Sequence, residues 1–299
     1  MLELRHVSKR YGRGAVGAAD VSLMVEPGEI IALFGPSGSG KTSILHIMGL
    51  LQEPDEGEVW LAGERVDHLR ERKAADVRSR QLGFVFQSFG LLPLLSGEEN
   101  VAVALRLLGI GGEAARARVS NAMAAVGITH RAQHRPGEMS GGEQQRIALA
   151  RALVHAPRVL LADEPTGELD TATAGYVVDM LRKVARNGAT VVIATHDPVA
   201  LDYVDTAFFV RDGTLHVPDR AELQMWITEG TGVLSDAGSA AYPGSRRLTA
   251  TPPAPPPPHA GPPLPPSPPL PPPAQPGAAA PPEKKAPPVV ESDPWGLPH

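Results

Sequence analysis

Apolar and polar residues alternate at period two from Leu2 to Val7, and less strictly from Ala19 to Val25, which predicts two half-buried antiparallel strands. The pattern then changes. Ile30 to Phe34 is an unbroken apolar run, the mark of a strand buried on both faces, and comparable runs recur at Leu82 to Phe86, Val159 to Ala162 and Thr190 to Ala194. Glu58 to Leu61, after the turn Pro54 to Gly57, predicts one more strand, and Val204 to Val210 with Thr214 to Val217 completes the sheet. Helical spacing covers Lys41 to Leu50, Glu98 to Leu108, Glu113 to Val126, a helix opened by Gly137 to Gly142 and running to Val154, and Thr173 to Ala185. A short helix is also expected over Ala221 to Ile227. Buried strands interleaved with helices imply an α/β sheet. The helical pair from Glu98 to Val126 is not needed to complete that sheet, so it is expected as an insertion packed beside it.

Chemistry collects where the buried strands end, which is where open α/β sheets bind ligands. The run ending at Phe34 empties into Gly35-Pro36-Ser37-Gly38-Ser39-Gly40-Lys41-Thr42-Ser43, a match to Gly-x-x-x-x-Gly-Lys-Ser/Thr between a strand and a helix. Glycines let the backbone N–H groups curl towards phosphate oxygens, and the following helix aims its positive N-terminus at the same anion. Lys41 is expected to reach the β- and γ-phosphates of a nucleoside triphosphate, and the Thr42 hydroxyl to hold Mg²⁺. Three further strand ends carry Gln87, the adjacent carboxylates Asp163 and Glu164, and His196. Such carboxylates beside a phosphate site can hold Mg²⁺, and one can serve as general base to a water. Ser140 with Gly141 and Gly142 opens a helix and is a second potential anion cradle. Tyr11, in a loop flanked by Gly12 and Gly14 between the first two strands, either packs or stacks on a base.

Composition narrows the partners and divides the chain. Of 299 residues, 32 are proline, and most lie beyond Tyr242, so the core is expected within residues 1–228 and a Pro-rich disordered tail over residues 229–299. Lys and Arg number 28 against 33 Asp and Glu, for a net charge of -5, which gives no electrostatic footprint for nucleic acid. The basic cluster from Arg65 to Arg80 is interleaved with acids, as on a solvated helical face. With no cysteine, disulfides, thiolate metal sites and a cysteine nucleophile are all excluded. No basic-then-apolar leader begins the chain, and no apolar stretch approaches the length of a membrane span, so a membrane role is expected to need a partner.

With these residues in order, the chain resembles an ATP-binding cassette (ABC) ATPase from Leu2 to about Val217. The resemblance implies a P-loop NTPase core with a RecA-like sheet, an antiparallel β subdomain and a helical subdomain over about residues 88–156 that carries the signature Ser140-Gly141-Gly142. It also implies that ATP and Mg²⁺ are held between two copies arranged head to tail, each signature binding the γ-phosphate of nucleotide on the other copy. Tyr11 corresponds to the adenine-stacking aromatic and Gln87 to the glutamine that touches Mg²⁺ and the attacking water. Asp163 corresponds to the Mg²⁺-binding acid, Glu164 to the general base, Asp170 to a residue reporting across the dimer, and His196 to the γ-phosphate ligand. Ala162 to Gly167 followed by x-Leu-Asp is similar to the branch of macrolide exporters, lipoprotein-releasing ATPases and the cell-division ATPase. Glu168 stands where that branch commonly has Asn, and Met139 where leucine is usual. The resemblance implies a separate membrane permease and a place on the cytoplasmic face of the membrane. A cell-division type ATPase that transmits motion without moving a substrate stays open as an alternative, as does a soluble ABC-type ATPase acting on nucleic acid.

Overall fold

The computed structural model describes residues 1–167 and 169–219. The helix expected over Ala221 to Ile227, the Pro-rich segment and Glu168 lie outside the described residues. The first two strands are β1 (Leu2–Arg10) and β2 (Val16–Val25), antiparallel as the alternation predicts. They join β4 (Glu56–Leu61) and β5 (Glu64–Arg65) in a four-stranded sheet ordered β2-β1-β4-β5. β1 runs past the alternating stretch because its register shifts between Leu4 and Val7 and again between Val7 and Lys9, which breaks the period of two.

The second sheet holds the apolar runs: β3 (Ile30–Phe34), β6 (Leu82–Val85), β7 (Val159–Asp163), β8 (Thr190–Thr195), β9 (Thr206–Arg211) and β10 (Thr214–His216). Their order is β10-β9-β3-β8-β7-β6, parallel throughout except for the edge strand β10. Successive residues feed opposite faces. Ile30, Ala32, Phe34, Leu160, Ala162, Val191 and Ile193 enter one hydrophobic core, whereas Ile31, Leu33, Val159, Leu161, Val192 and Ala194 enter the other. This double burial is why these strands are apolar without alternation.

Helix α1 (Lys41–Met48) and the four-stranded sheet cover the second face, and α6 (Thr171–Arg186) and α5 (Gly141–Leu153) cover the first. Helices α3 (Gly97–Leu107) and α4 (Gly112–Ala125) pack on α5 and on each other, as expected of the insertion. Asn100 of α3 is fully buried and fastens the preceding loop. Its amide nitrogen donates to the carbonyls of Leu92, Leu95 and Ser96, and its oxygen accepts from the Leu92 N–H. The charged stretch folds as α2 (Glu71–Gln81), with Ala74 its buried residue, and Arg78 pairs with Glu71 and Arg80 with Asp76, in keeping with a solvated face.

Candidate active site

Parallel pairing brings three strand ends to one level. Phe34 of β3 sits beside Thr195 of β8, and Asp163 of β7 beside Ala194. The chain therefore leaves the sheet at Gly35, Glu164 and His196 along one edge.

The loop after β3 needs its glycines for two separate reasons. Gly35, Gly38 and Gly40 have φ of 152°, 80° and 111°, in the left-handed region that side chains disfavour. A Cβ at Gly35 would also lie 2.3 Å from the Val210 carbonyl oxygen, and one at Gly40 would lie 2.3 Å from that of Gly17. Gly40 caps α1 without a side-chain hydrogen bond, and the first turn has no acidic residue, so the positive helix end is left open for an anion. Lys41 is buried at 6% exposure, and its ammonium donates to the carbonyls of Gly35 (2.8 Å) and Pro36 (3.1 Å). Burial lowers its pKa, and Glu164 and Asp163 oppose that shift. The Ser39 hydroxyl is buried with no partner among the described residues. A cradle with no room for Cβ atoms, an open helix end and an orphaned hydroxyl fit a polyphosphate.

On strand β7, Asp163 Oδ1 accepts from the Thr42 hydroxyl of α1 at 3.2 Å. Burial raises the Asp163 pKa, and the Thr42 bond works against that rise. A hydroxyl and a carboxylate so paired form an all-oxygen donor set suited to Mg²⁺. β7 ends at Asp163, one residue before the second acid, and Glu164 turns out of the strand with φ 45° while its N–H still donates to Ala194. The Glu164 carboxylate accepts from the Thr195 hydroxyl (3.1 Å) and the His196 N–H (3.3 Å), and it lies 3.0 Å from His196 Nδ1 and 3.9 Å from Lys41 Nζ.

The remaining candidates are distributed. Tyr11 is 39% exposed, with its hydroxyl 3.0 Å from Ser43 Oγ and 2.6 Å from Gln52 Oε1, beside the phosphate loop. Its ring reaches this place because Gly17 has no Cβ: one built there would meet the ring at 2.6 Å. Gln87 is exposed just past β6, the strand paired with β7. Ser140 has its contacts elsewhere. It caps α5, its Oγ accepting from the Glu143 N–H while the Glu143 carboxylate accepts from the Ser140 N–H. That bond and Arg131 hold the Glu143 pKa down at about 2. Asp170 belongs with this end: Thr173 donates to it through N–H (3.1 Å) and hydroxyl (2.7 Å), and a Cβ on Gly142 would meet Thr173 at 3.0 Å.

Several contributors escape sequence reasoning. Thr195 fixes Glu164, Thr166 donates to Asp197 at 2.8 Å, and Arg151 of α5 donates to the carbonyls of Phe89 and Gly90 in the loop after Gln87. Gln145, only 1% exposed, donates to the Pro165 carbonyl at 2.7 Å. A threonine closing an apolar strand was a usable signal for Thr195, whereas a polar residue inside a helix carried none for Gln145.

Residues 18–167 match the family described as ABC transporter. The chain is 41% identical over 223 residues to an uncharacterized ABC transporter ATP-binding protein of Thermotoga maritima, covering 74% of this chain and 95% of that one. It is 47% identical over 195 residues to the lipoprotein-releasing system ATP-binding protein LolD of Paramagnetospirillum magneticum, covering 65% and 86%. It is 41% identical to the macrolide export ATP-binding/permease protein MacB of Chlorobium luteolum over 78% of this chain but 35% of that protein. Among solved structures, it is similar to a dimeric post-hydrolysis state of the ATP-binding cassette MJ0796 bound to ADP and Pi, with a TM-score of 0.69, 36% identity, and coverage of 72% and 97%.

Proposed function

Because this chain belongs to the ABC transporter family and is an ATPase of that family, we propose that it pairs head to tail with a second copy and couples ATP hydrolysis to movement of a separate membrane permease. LolD and MacB among its relatives favour lipoprotein release or export, with the chain at the cytoplasmic face of the membrane through that permease. Residues 1–228 act as the ATPase domain, and about 88–156 as its helical subdomain.

In this reading Gly35, Pro36, Ser37, Gly38, Ser39, Gly40 and Ser43 line the phosphates, and Lys41 exchanges its bonds to the Gly35 and Pro36 carbonyls for phosphate oxygens. Thr42, Asp163 and Gln87 hold Mg²⁺, which when bound supplies positive charge against the triphosphate. Glu164 accepts the proton of the attacking water, its carboxylate set by Thr195 and His196. His196 keeps Nε2 for the γ-phosphate while Nδ1 faces Glu164. Tyr11 stacks on adenine, and Ser140, Gly141 and Gly142 of the second copy close the site, with Asp170 beside them. Turnover then comes mainly from positioning and charge neutralisation.

The observation that carries the reading is Glu164, held by three contacts within 3.3 Å at a strand end beside Lys41 and Asp163. Glu164→Gln should keep ATP binding, accumulate an ATP-bound dimer in size-exclusion chromatography and lose about a hundredfold or more in turnover. Wild-type hydrolysis rates in that variant would overturn the assignment.

A further inference from the structure

Helix α5 begins at Ser140 and reaches Gln145 after five residues, about 7.5 Å along its axis. There the Gln145 side chain is buried, and its single hydrogen bond runs to the carbonyl of Pro165, the residue immediately after Glu164. Its Oε1 is buried with no partner among the described residues. Burying an amide with one polar atom unpaired opposes folding, and packing alone would be served as well by methionine, which has a similar shape. Its donor does satisfy the buried Pro165 carbonyl, but the unpaired Oε1 offsets that gain, so stability alone gives little reason for a glutamine here. What its bond does is fasten the helix that starts at Ser140 to the backbone that carries Glu164.

In the head-to-tail dimer these two ends of one chain serve different nucleotides. Ser140 touches the one held by the second copy, and Glu164 activates the water that attacks the one held by its own chain. We infer that Gln145 is a positioning residue that couples the two sites: engagement of Ser140 by nucleotide on the second copy is transmitted through α5 and the Pro165 carbonyl to the placement of Glu164. Each site then turns over fully only when the other is filled. The inference rests on the roles proposed above for Ser140 and Glu164. It extends them by naming the group that connects them within one chain. Between Ser140 and Gln145 the carrier is continuous helix, which moves as a unit.

The test compares the full chain with its Gln145→Met and Gln145→Asn variants by ATPase kinetics and thermal unfolding. Methionine fills the space without the donor, and asparagine keeps the amide but falls a methylene short. For both, kcat should fall about tenfold, since small misplacement of a reacting group is costly, while the KM for ATP stays within about twofold. The Hill coefficient should drop from above one to one. Because methionine removes the orphaned Oε1 but also deprives the Pro165 carbonyl of its donor, the unfolding midpoint of Gln145→Met should stay within about 4 °C of the parent chain. A Hill coefficient of one in the parent chain, or kcat and cooperativity unchanged in the variants, overturns the coupling. So does a rate loss that disappears on normalising to folded protein. If Gln145→Met does not fold, the asparagine variant decides alone by the same criteria. Failure of the underlying function would show separately, as retained turnover in Glu164→Gln.

Discussion

The N-termini of α1 and α5 both follow glycine-bearing turns, and the chain treats these two in opposite ways. α1 starts at Gly40 with no side-chain cap and no acid in its first turn, and behind it stand a lysine at 6% exposure and a ring of strand ends. α5 starts at Ser140, which is exposed and already tied to Glu143 through both backbone and side chain, with Arg131 holding that carboxylate from outside. Both ends are positive, but the second already has its Glu143 N–H satisfied by the Ser140 side chain and an acid in its first turn, and the first has neither. An open end can found an anion site by itself. A capped one offers a serine hydroxyl fixed in direction together with the N–H groups of Gly141 and Gly142, which suits it to finish a site built elsewhere.

That contrast can be broken by experiment. Lys41→Ala strikes the founding end and should lower both nucleotide affinity and turnover, the latter by about a hundredfold to a thousandfold; retained binding of a fluorescent ATP analogue would show that the loop does not depend on its buried ammonium. Ser140→Ala strikes the finishing end and should leave analogue binding to the monomer near wild type while turnover falls by about tenfold to a hundredfold. Equal loss of binding in the two variants would erase the distinction. The smallest effect is expected for Glu143→Gln, which keeps the bond to the Ser140 N–H but loses the ion pair with Arg131, and it should cost about 1 kcal/mol in urea unfolding at neutral pH. Because the folded state holds the Glu143 pKa at about 2 against an ordinary 4.5, that contribution is complete above 4.5 and fades as the pH falls towards 2. The two unfolding curves should therefore converge on acidification, and a constant gap down to pH 3 would show that the charge is not its source.

The architecture was legible where one physical cause dominated. Burial on both faces made β3, β7 and β8 continuous apolar runs, and amphipathic spacing gave α3, α4 and α5 to within a residue or two at most ends. β5 was not foreseen, since Glu64 and Arg65 are two exposed residues that pair with Trp60 and Leu61 through backbone bonds, and the side-chain pairing of Arg65 with Glu58 and Asp67 reads in sequence as ordinary surface charge. In the site, residues whose type is chemically required stood out in the sequence: Gly35, Lys41, Thr42, Asp163, Glu164 and His196 converge as expected. Supporting residues did not. Gln145, Asn100 and Arg151 act through tertiary contacts, and their polarity reads in sequence as solvent exposure. Ser140 was legible as a helix opener, but its capping by Glu143 became meaningful only beside the uncapped α1.

The backbone of Glu164, with φ 45°, lies in a region where a side chain costs about 1 to 2 kcal/mol and glycine costs nothing comparable. Backbone conformation alone would favour glycine there, against the contacts that the Glu164 carboxylate makes with Thr195 and His196. Glu164→Gly would relieve that backbone cost but give up the carboxylate's contacts, so it separates the conformational cost of this position from the bonds that offset it. The residue at the centre of the proposed chemistry is thus also a point of local frustration, retained against the chain's own conformational preference.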